Sequence, residues 1–81
     1  MLKLDDTELA VLGAVAKLGV VKGDLLSIAR EAKLSVARTI DVRDYLIREG
    51  YLVEIDRRYR ITEEGAQALL QKLGREVKKE S

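Results

Sequence analysis

The sequence predicts an α+β fold that is mainly helical, and three observations carry that reading. Apolar residues recur at helical spacing through residues 6–18, 24–32, 36–49 and 63–78. Between residues 51 and 61 the period shortens to two, the period of a strand pair. A chain of 81 residues admits one small domain, which buries only about 60–65% of its unfolded surface. A single domain over 1–81 is therefore expected, made of four helices and one hairpin.

Each element has its own start and stop signals. In the first helix, Asp5 followed by Glu8 has the spacing of a capping box, and Gly19 marks the end. Leu9, Val11, Leu12, Val15 and Leu18 cover half of this helix, while Ala10, Gly13 and Ala14 fill much of the rest. A helix apolar nearly all round is buried on more than one side. It is either the centre of the domain or meets a second chain on its Ala/Gly side. Val20-Val21-Lys22 is read as a short strand. Asp24 caps the second helix, which carries Leu25, Ile28, Ala29 and Ala32 in one stripe. A tight turn through Leu34 leads to Ser35, the cap of a third helix that runs to Glu49, with Gly50 as its C-terminal stop.

Val36, Ile40, Val42, Leu46 and Ile47 form the apolar arc of the third helix, with Arg43 in its midst. Arg43 either lays its stem along the core with its head in water, forms a buried ion pair, or reaches across a dimer interface. Tyr45 is placed on the exposed side. Tyr51, Val53 and Ile55 then alternate with Leu52 and Glu54, Asp56-Arg57 turns the chain, and Tyr59 and Ile61 return between Arg58 and Arg60. Tyr51 and Tyr59 are assigned to the apolar face of this hairpin. Thr62 caps the fourth helix, whose Ala66, Leu69, Leu70, Leu73 and Val77 lie within an arc of about 100°.

Composition excludes several classes of function. The chain has no Cys and no His, so thiolate and imidazole chemistry, the usual metal ligands and the commonest general base are absent. No Gly-rich phosphate loop or nucleophile–base pair is present, and the adjacent acidic pairs Asp5/Asp6 and Glu63/Glu64 are explained by capping. The expectation is a non-enzyme with no cofactor, no metal and no legible small-molecule effector. The longest uncharged run, Leu9–Ala16, has eight residues where a membrane span needs about 20. The N-terminal region carries Asp5, Asp6 and Glu8 where a signal peptide is basic, which points to the cytoplasm. Charged residues make up 36% of the chain while the only side-chain amides are Gln67 and Gln71, a bias seen in proteins from hot environments.

Helix, short strand, helix, tight turn, helix, hairpin, helix is an order that resembles the winged helix-turn-helix superfamily from about Asp5 to Leu73. The stretches Leu46-Ile47-Arg48-Glu49-Gly50-Tyr51-Leu52-Val53 and Arg58-Tyr59-Arg60-Ile61-Thr62-Glu63-Glu64-Gly65 look like the end of the recognition helix, the wing and the start of the last helix in MarR-type and related small archaeal regulators. The resemblance implies binding of double-stranded DNA, with Ser35, Ala37, Arg38 and Asp41 toward the major groove and Arg57, Arg58 and Arg60 on the backbone. It also implies a homodimer. The apolar surplus of the first and fourth helices supplies an interface at Leu9, Ala14, Leu69, Leu73 and Val77, setting two recognition helices about 34 Å apart.

Charge is distributed unevenly over this frame. Fifteen basic residues against fourteen acidic give a net charge of +1, yet Ile55–Thr62 alone holds three Arg and one Asp. Guanidinium groups on a projecting hairpin suit phosphate, since each can donate two parallel hydrogen bonds. On the alternative reading, Arg58 and Arg60 form a solvated strand face, one of them paired with Glu54. The outer side of the third helix carries Arg38 and Arg48 against Asp41, Asp44 and Glu49, a poor match to a phosphate-lined groove. That acidic bias keeps a second function open, a non-catalytic protein-interaction module within a larger assembly.

Overall fold

The computed structural model describes residues 4–80, with side chains through residue 72. The elements run α1 (Asp6–Lys22), α2 (Leu25–Ala32), α3 (Val36–Arg48), β1 (Leu52–Ile55), β2 (Arg58–Ile61) and α4 (Glu63–Glu80). This is a mainly helical α+β fold with one antiparallel hairpin, in a winged-helix-like layout. Among the described residues no helix is long and apolar enough to cross a membrane.

α1 is the centre around which the other elements pack. Its start is fixed locally: the Asp5 carboxylate accepts the Glu8 N–H at 2.8 Å, and the Glu8 carboxylate accepts the Asp5 N–H at 2.9 Å. Leu9, Val11, Leu12, Ala14 and Val15 are buried, and the helix touches α2, α3, α4 and β2. Leu9 and Ala14, assigned from the sequence to a dimer interface, are thus taken up by the chain's own core. Leu4, Ile28, Val42, Leu46, Leu52, Tyr59 and Ala68 complete that single cluster.

Gly19, at φ 73° and ψ −178°, interrupts α1 as expected. The chain then resumes one more helical turn through Val20–Lys22, not the short strand read from the sequence. A third strand needs a ladder of bonds to β2, and only one forms: the Tyr59 N–H donates to the Gly23 carbonyl at 3.0 Å. A helical turn instead satisfies its backbone groups locally. Gly23 allows the close approach, since a Cβ there would lie 2.5 Å from the Gly19 oxygen and 2.9 Å from the Tyr59 oxygen.

The helix-turn-helix is assembled from caps. The Asp24 carboxylate accepts the Ser27 N–H at 2.8 Å and starts α2. α2 closes with Lys33 in the left-handed region (φ 60°), while the Leu34 N–H donates to the Ala29 carbonyl at 3.0 Å. Ser35 follows at once, its hydroxyl accepting the Arg38 N–H at 3.1 Å. The same closing geometry recurs at Gly50 (φ 86°), where the Tyr51 N–H donates to the Leu46 carbonyl at 2.8 Å.

α3 is rotated relative to the arc its apolar residues outline. Thr39 is fully buried beside Val42 and Leu46, whereas Val36 is exposed and Ile40 and Ile47 are only half-buried. A threonine can occupy the deepest position because its hydroxyl donates to the Ser35 carbonyl at 2.8 Å, leaving no unpaired polar group. Tyr45 is half-buried and packs on the core, contrary to the exposed placement expected from the sequence.

The hairpin pairs Leu52 with Ile61, Val53 with Arg60, Glu54 with Tyr59 and Ile55 with Arg58. Partners across an antiparallel pair share a face. Leu52, Tyr59 and Ile61 therefore face the core, and Val53 and Ile55 share the outer face with Arg58 and Arg60. The sequence grouped Tyr51, Val53 and Ile55 on one side, which is one residue out of step with the observed face. Packing of Leu52 into the core decides it, because a strand presents alternate residues to opposite faces.

Thr62 joins the hairpin to α4 and to the end of α3. Its hydroxyl accepts the Gly65 N–H at 3.1 Å and donates to the Gly50 carbonyl at 2.6 Å. Gly65 is buried, and a Cβ there would collide with the Tyr51 carbonyl oxygen and the Ile61 side chain. This close seating turns α4 so that Ala68 is buried as well. Leu69 and Ala66 are half-buried and Leu70 is 65% exposed, so only part of the stripe read from the sequence meets the core. The side chains of Leu73 and Val77, also assigned to that stripe, lie outside the described residues.

Candidate nucleic-acid interface

The residues expected to face a nucleic acid come from two adjoining elements, the N-terminal half of α3 and the hairpin. The Ser35 cap leaves the first turn of α3 open to solvent. Ser35, Ala37, Arg38 and Asp41 are all exposed, as are Asp44 and Arg48 farther along. The Ser35 oxygen is engaged by the Arg38 N–H, so this hydroxyl meets a ligand mainly through its own proton. The exposed charges of α3 nearly balance.

The hairpin is different. Arg57, Arg58 and Arg60 are exposed, and no carboxylate among the described residues forms an ion pair with any of them. Glu54, their expected cross-strand partner, shares a face with Tyr59 instead. Arg57 and Asp56 form the turn, and both have positive φ, at 65° and 50°. A two-residue turn of this kind matches the right-handed twist of the strands but favours Asn-Gly or Asp-Gly. Arginine in the left-handed region costs about 1–2 kcal/mol relative to ordinary backbone conformations. The tip of the hairpin therefore keeps a charged side chain where glycine would be easier.

The turn-proximal end of β2 lies near the start of α2, with Tyr59 bonded to Gly23 and Arg58 close enough to act on Asp24. The Asp24 carboxyl is held below its usual range, first by the Ser27 backbone N–H and then by the Ser27 side chain, with smaller contributions from Arg58 and Arg30. Among the hairpin arginines, Arg58 thus acts on the start of α2. At the other end of α3 the environment is acidic. The Tyr45 hydroxyl is pushed above its usual range by desolvation first, then by Glu8 and Glu49, with Tyr51 and Asp5 adding to the shift.

Arg43 resolves into one of the arrangements open from the sequence, with a partner that sequence reasoning missed. Its stem follows the core and its side chain is 23% exposed. Nη1 donates to the Tyr59 hydroxyl at 2.8 Å and Nε to an Asp44 oxygen at 2.9 Å, while Nη2 lies 2.8 Å from the same oxygen as an ion pair. The guanidinium carbon sits 5.7 Å from the centre of the Tyr59 ring, within cation–π range. Burial works against its charge, but the bonds to Tyr59 and Asp44 outweigh that effect and raise its pKa. The only signal in the sequence was an arginine in the midst of the apolar arc of the third helix.

Among the described residues, no group of three His, Cys, Asp or Glu is placed to hold a metal ion. The surface offers exposed guanidinium groups, a capped helix start and apolar Val53 and Ile55 on the outer hairpin face. Exposed guanidinium groups of this kind donate hydrogen bonds to anions. No protein-family model matches the chain, and no curated protein matches it in sequence.

Proposed function

We propose that this protein binds double-stranded DNA as a small transcriptional regulator, with the N-terminal half of α3 in the major groove and the hairpin as a wing on the backbone. The observation that carries this reading is the wing itself. It presents three exposed arginines with no carboxylate partner among the described residues, one of them at a turn position that favours glycine. Strained backbone at a charged, projecting site supports a binding role. A homodimer would give each operator two half-sites. On α4, exposed Leu70 and half-buried Leu69 are described apolar residues available for it, and sedimentation of natural protein and Leu70→Glu tests that pairing.

The test of DNA binding is a titration on random duplex across a range of salt. Arg57→Ala with Arg58→Ala weakens binding to every sequence and lowers the salt slope by about one unit per lost phosphate contact. Arg38→Ala changes sequence preference instead, as expected of a base contact. An unchanged slope removes the wing from the interface.

The second reading, a protein-interaction module, is favoured by the balanced charge on the exposed side of α3 and by Val53 and Ile55 at the wing surface. Failure to bind duplex even at low salt selects that reading.

A further inference from the structure

Three contacts that fasten the wing to the helical body converge on Tyr59. Its ring is only 3% exposed, its N–H donates to the Gly23 carbonyl, and its hydroxyl accepts from Arg43. The last contact spans 16 positions in sequence and links α3 directly to β2. Asp44 holds the same guanidinium from the other side through Nε and Nη2.

The wing needs such support. Its strands are four residues each, and its turn has two non-glycine residues at positive φ. An isolated two-stranded hairpin is marginal in water. Stability alone does not account for an arginine here, because replacing a partly buried ion pair by a well-packed apolar residue is often neutral or favourable. An arginine supplies what leucine does not, a planar group with several donors in fixed directions. With Nη1 bonded to Tyr59, and Nε and Nη2 held against the Asp44 carboxylate, this guanidinium is also a poor candidate for a direct phosphate contact.

We infer that Arg43 is a positioning residue: together with Tyr59 it holds the wing in a fixed relation to α3. Resting on the DNA-binding reading, its consequence is that Arg57 and Arg58 reach the backbone while α3 occupies the groove. The ordering cost of the wing is then met during folding and not at the moment of binding.

The experiment compares natural protein with Arg43→Leu and Tyr59→Phe. The second variant keeps the buried ring and the bond to Gly23 and removes only the acceptor for Arg43, so it remains informative should Arg43→Leu fold poorly. In the free proteins, backbone amide order parameters of residues 52–61 should fall from about 0.85 toward 0.6 in both variants, with the helices unchanged. Wing amides as ordered as those of natural protein overturn the proposal, whether or not DNA binds.

On duplex DNA, Arg43→Leu raises Kd by about tenfold, or about 1.4 kcal/mol. The loss caused by Arg57→Ala with Arg58→Ala must also shrink in the Arg43→Leu background, because an unpinned wing already contributes less. Strictly additive losses overturn the positioning role. If natural protein does not bind duplex at low salt, the DNA reading fails, and the order parameters alone decide whether the clamp exists.

Discussion

α3 and the wing adjoin one another and are joined by Arg43, yet the chain builds them by different means. Both ends of α3 are secured by residues next to them in sequence, Ser35 at one end and Gly50 at the other. The exposed face it presents carries both signs of charge. In the wing, local chemistry works against the structure, with Asp56 and Arg57 both in a conformation that favours glycine. It is held by distant contacts through Leu52, Tyr59, Gly23 and Arg43. The element with the simpler charge pattern is thus the one whose geometry depends on the rest of the molecule. An element that encodes its own shape can vary its surface freely, whereas the wing must keep its anchors.

The largest expected effect tests that dependence. Tyr59→Ala removes a buried ring together with the acceptor for Arg43 and should cost about 3–5 kcal/mol in urea unfolding. In a domain this small that is a large share of the total stability. Ser35→Ala, which removes the cap of α3, should cost about 1 kcal/mol by the same measurement. Equal losses from the two substitutions would break the contrast between a remotely held wing and a locally held helix.

Arg57→Gly sharpens the comparison by separating stability from binding. Relief of the left-handed strain stabilises the hairpin by less than about 1 kcal/mol, since glycine also gains freedom in the unfolded chain. The same substitution lowers the salt slope of DNA binding by about one unit. A rise in Tm accompanied by an unchanged slope would mean that the arginine at the tip touches no phosphate.

The smallest effect concerns Asp24, the cap of α2 near Arg58 of the wing. Its folded pKa lies below the unfolded value, chiefly because of the Ser27 backbone N–H. The stabilisation is therefore complete above the ordinary carboxylate pKa of about 3.9 and is lost as pH falls through the lower, folded value. Asp24→Asn should leave an acid limb that is shallower below about pH 4, measured as Tm against pH. A steeper limb in the variant contradicts this sign.

What could be read in advance follows the range of each interaction. The pairs Asp5/Glu8, Asp24/Ser27 and Ser35/Arg38 lie three positions apart, so the capping residues are visible as spacing. The exposed arginines of the wing and the open first turn of α3 were legible for the same reason. The Arg43–Tyr59 bond leaves no such trace, because nothing in a periodic pattern connects a residue on a helix to one 16 positions later on a strand.

The sequence by itself determined the order of the four helices and the hairpin, their caps, the position of the hairpin turn and the concentration of positive charge there. Those are properties of neighbouring residues, set by backbone hydrogen bonding and side-chain period. Only the tertiary structure decided which face of the hairpin turns inward, why Thr39 lies deeper than Val36, and why Val20–Lys22 coils where a strand was expected. The hairpin face and the Val20–Lys22 turn depend on what packs against the segment: Leu52 entering the core, and a strand edge that offers one hydrogen bond in place of a ladder. Core packing selects the face of α3 on which Thr39 lies, its hydroxyl satisfied locally by the Ser35 carbonyl.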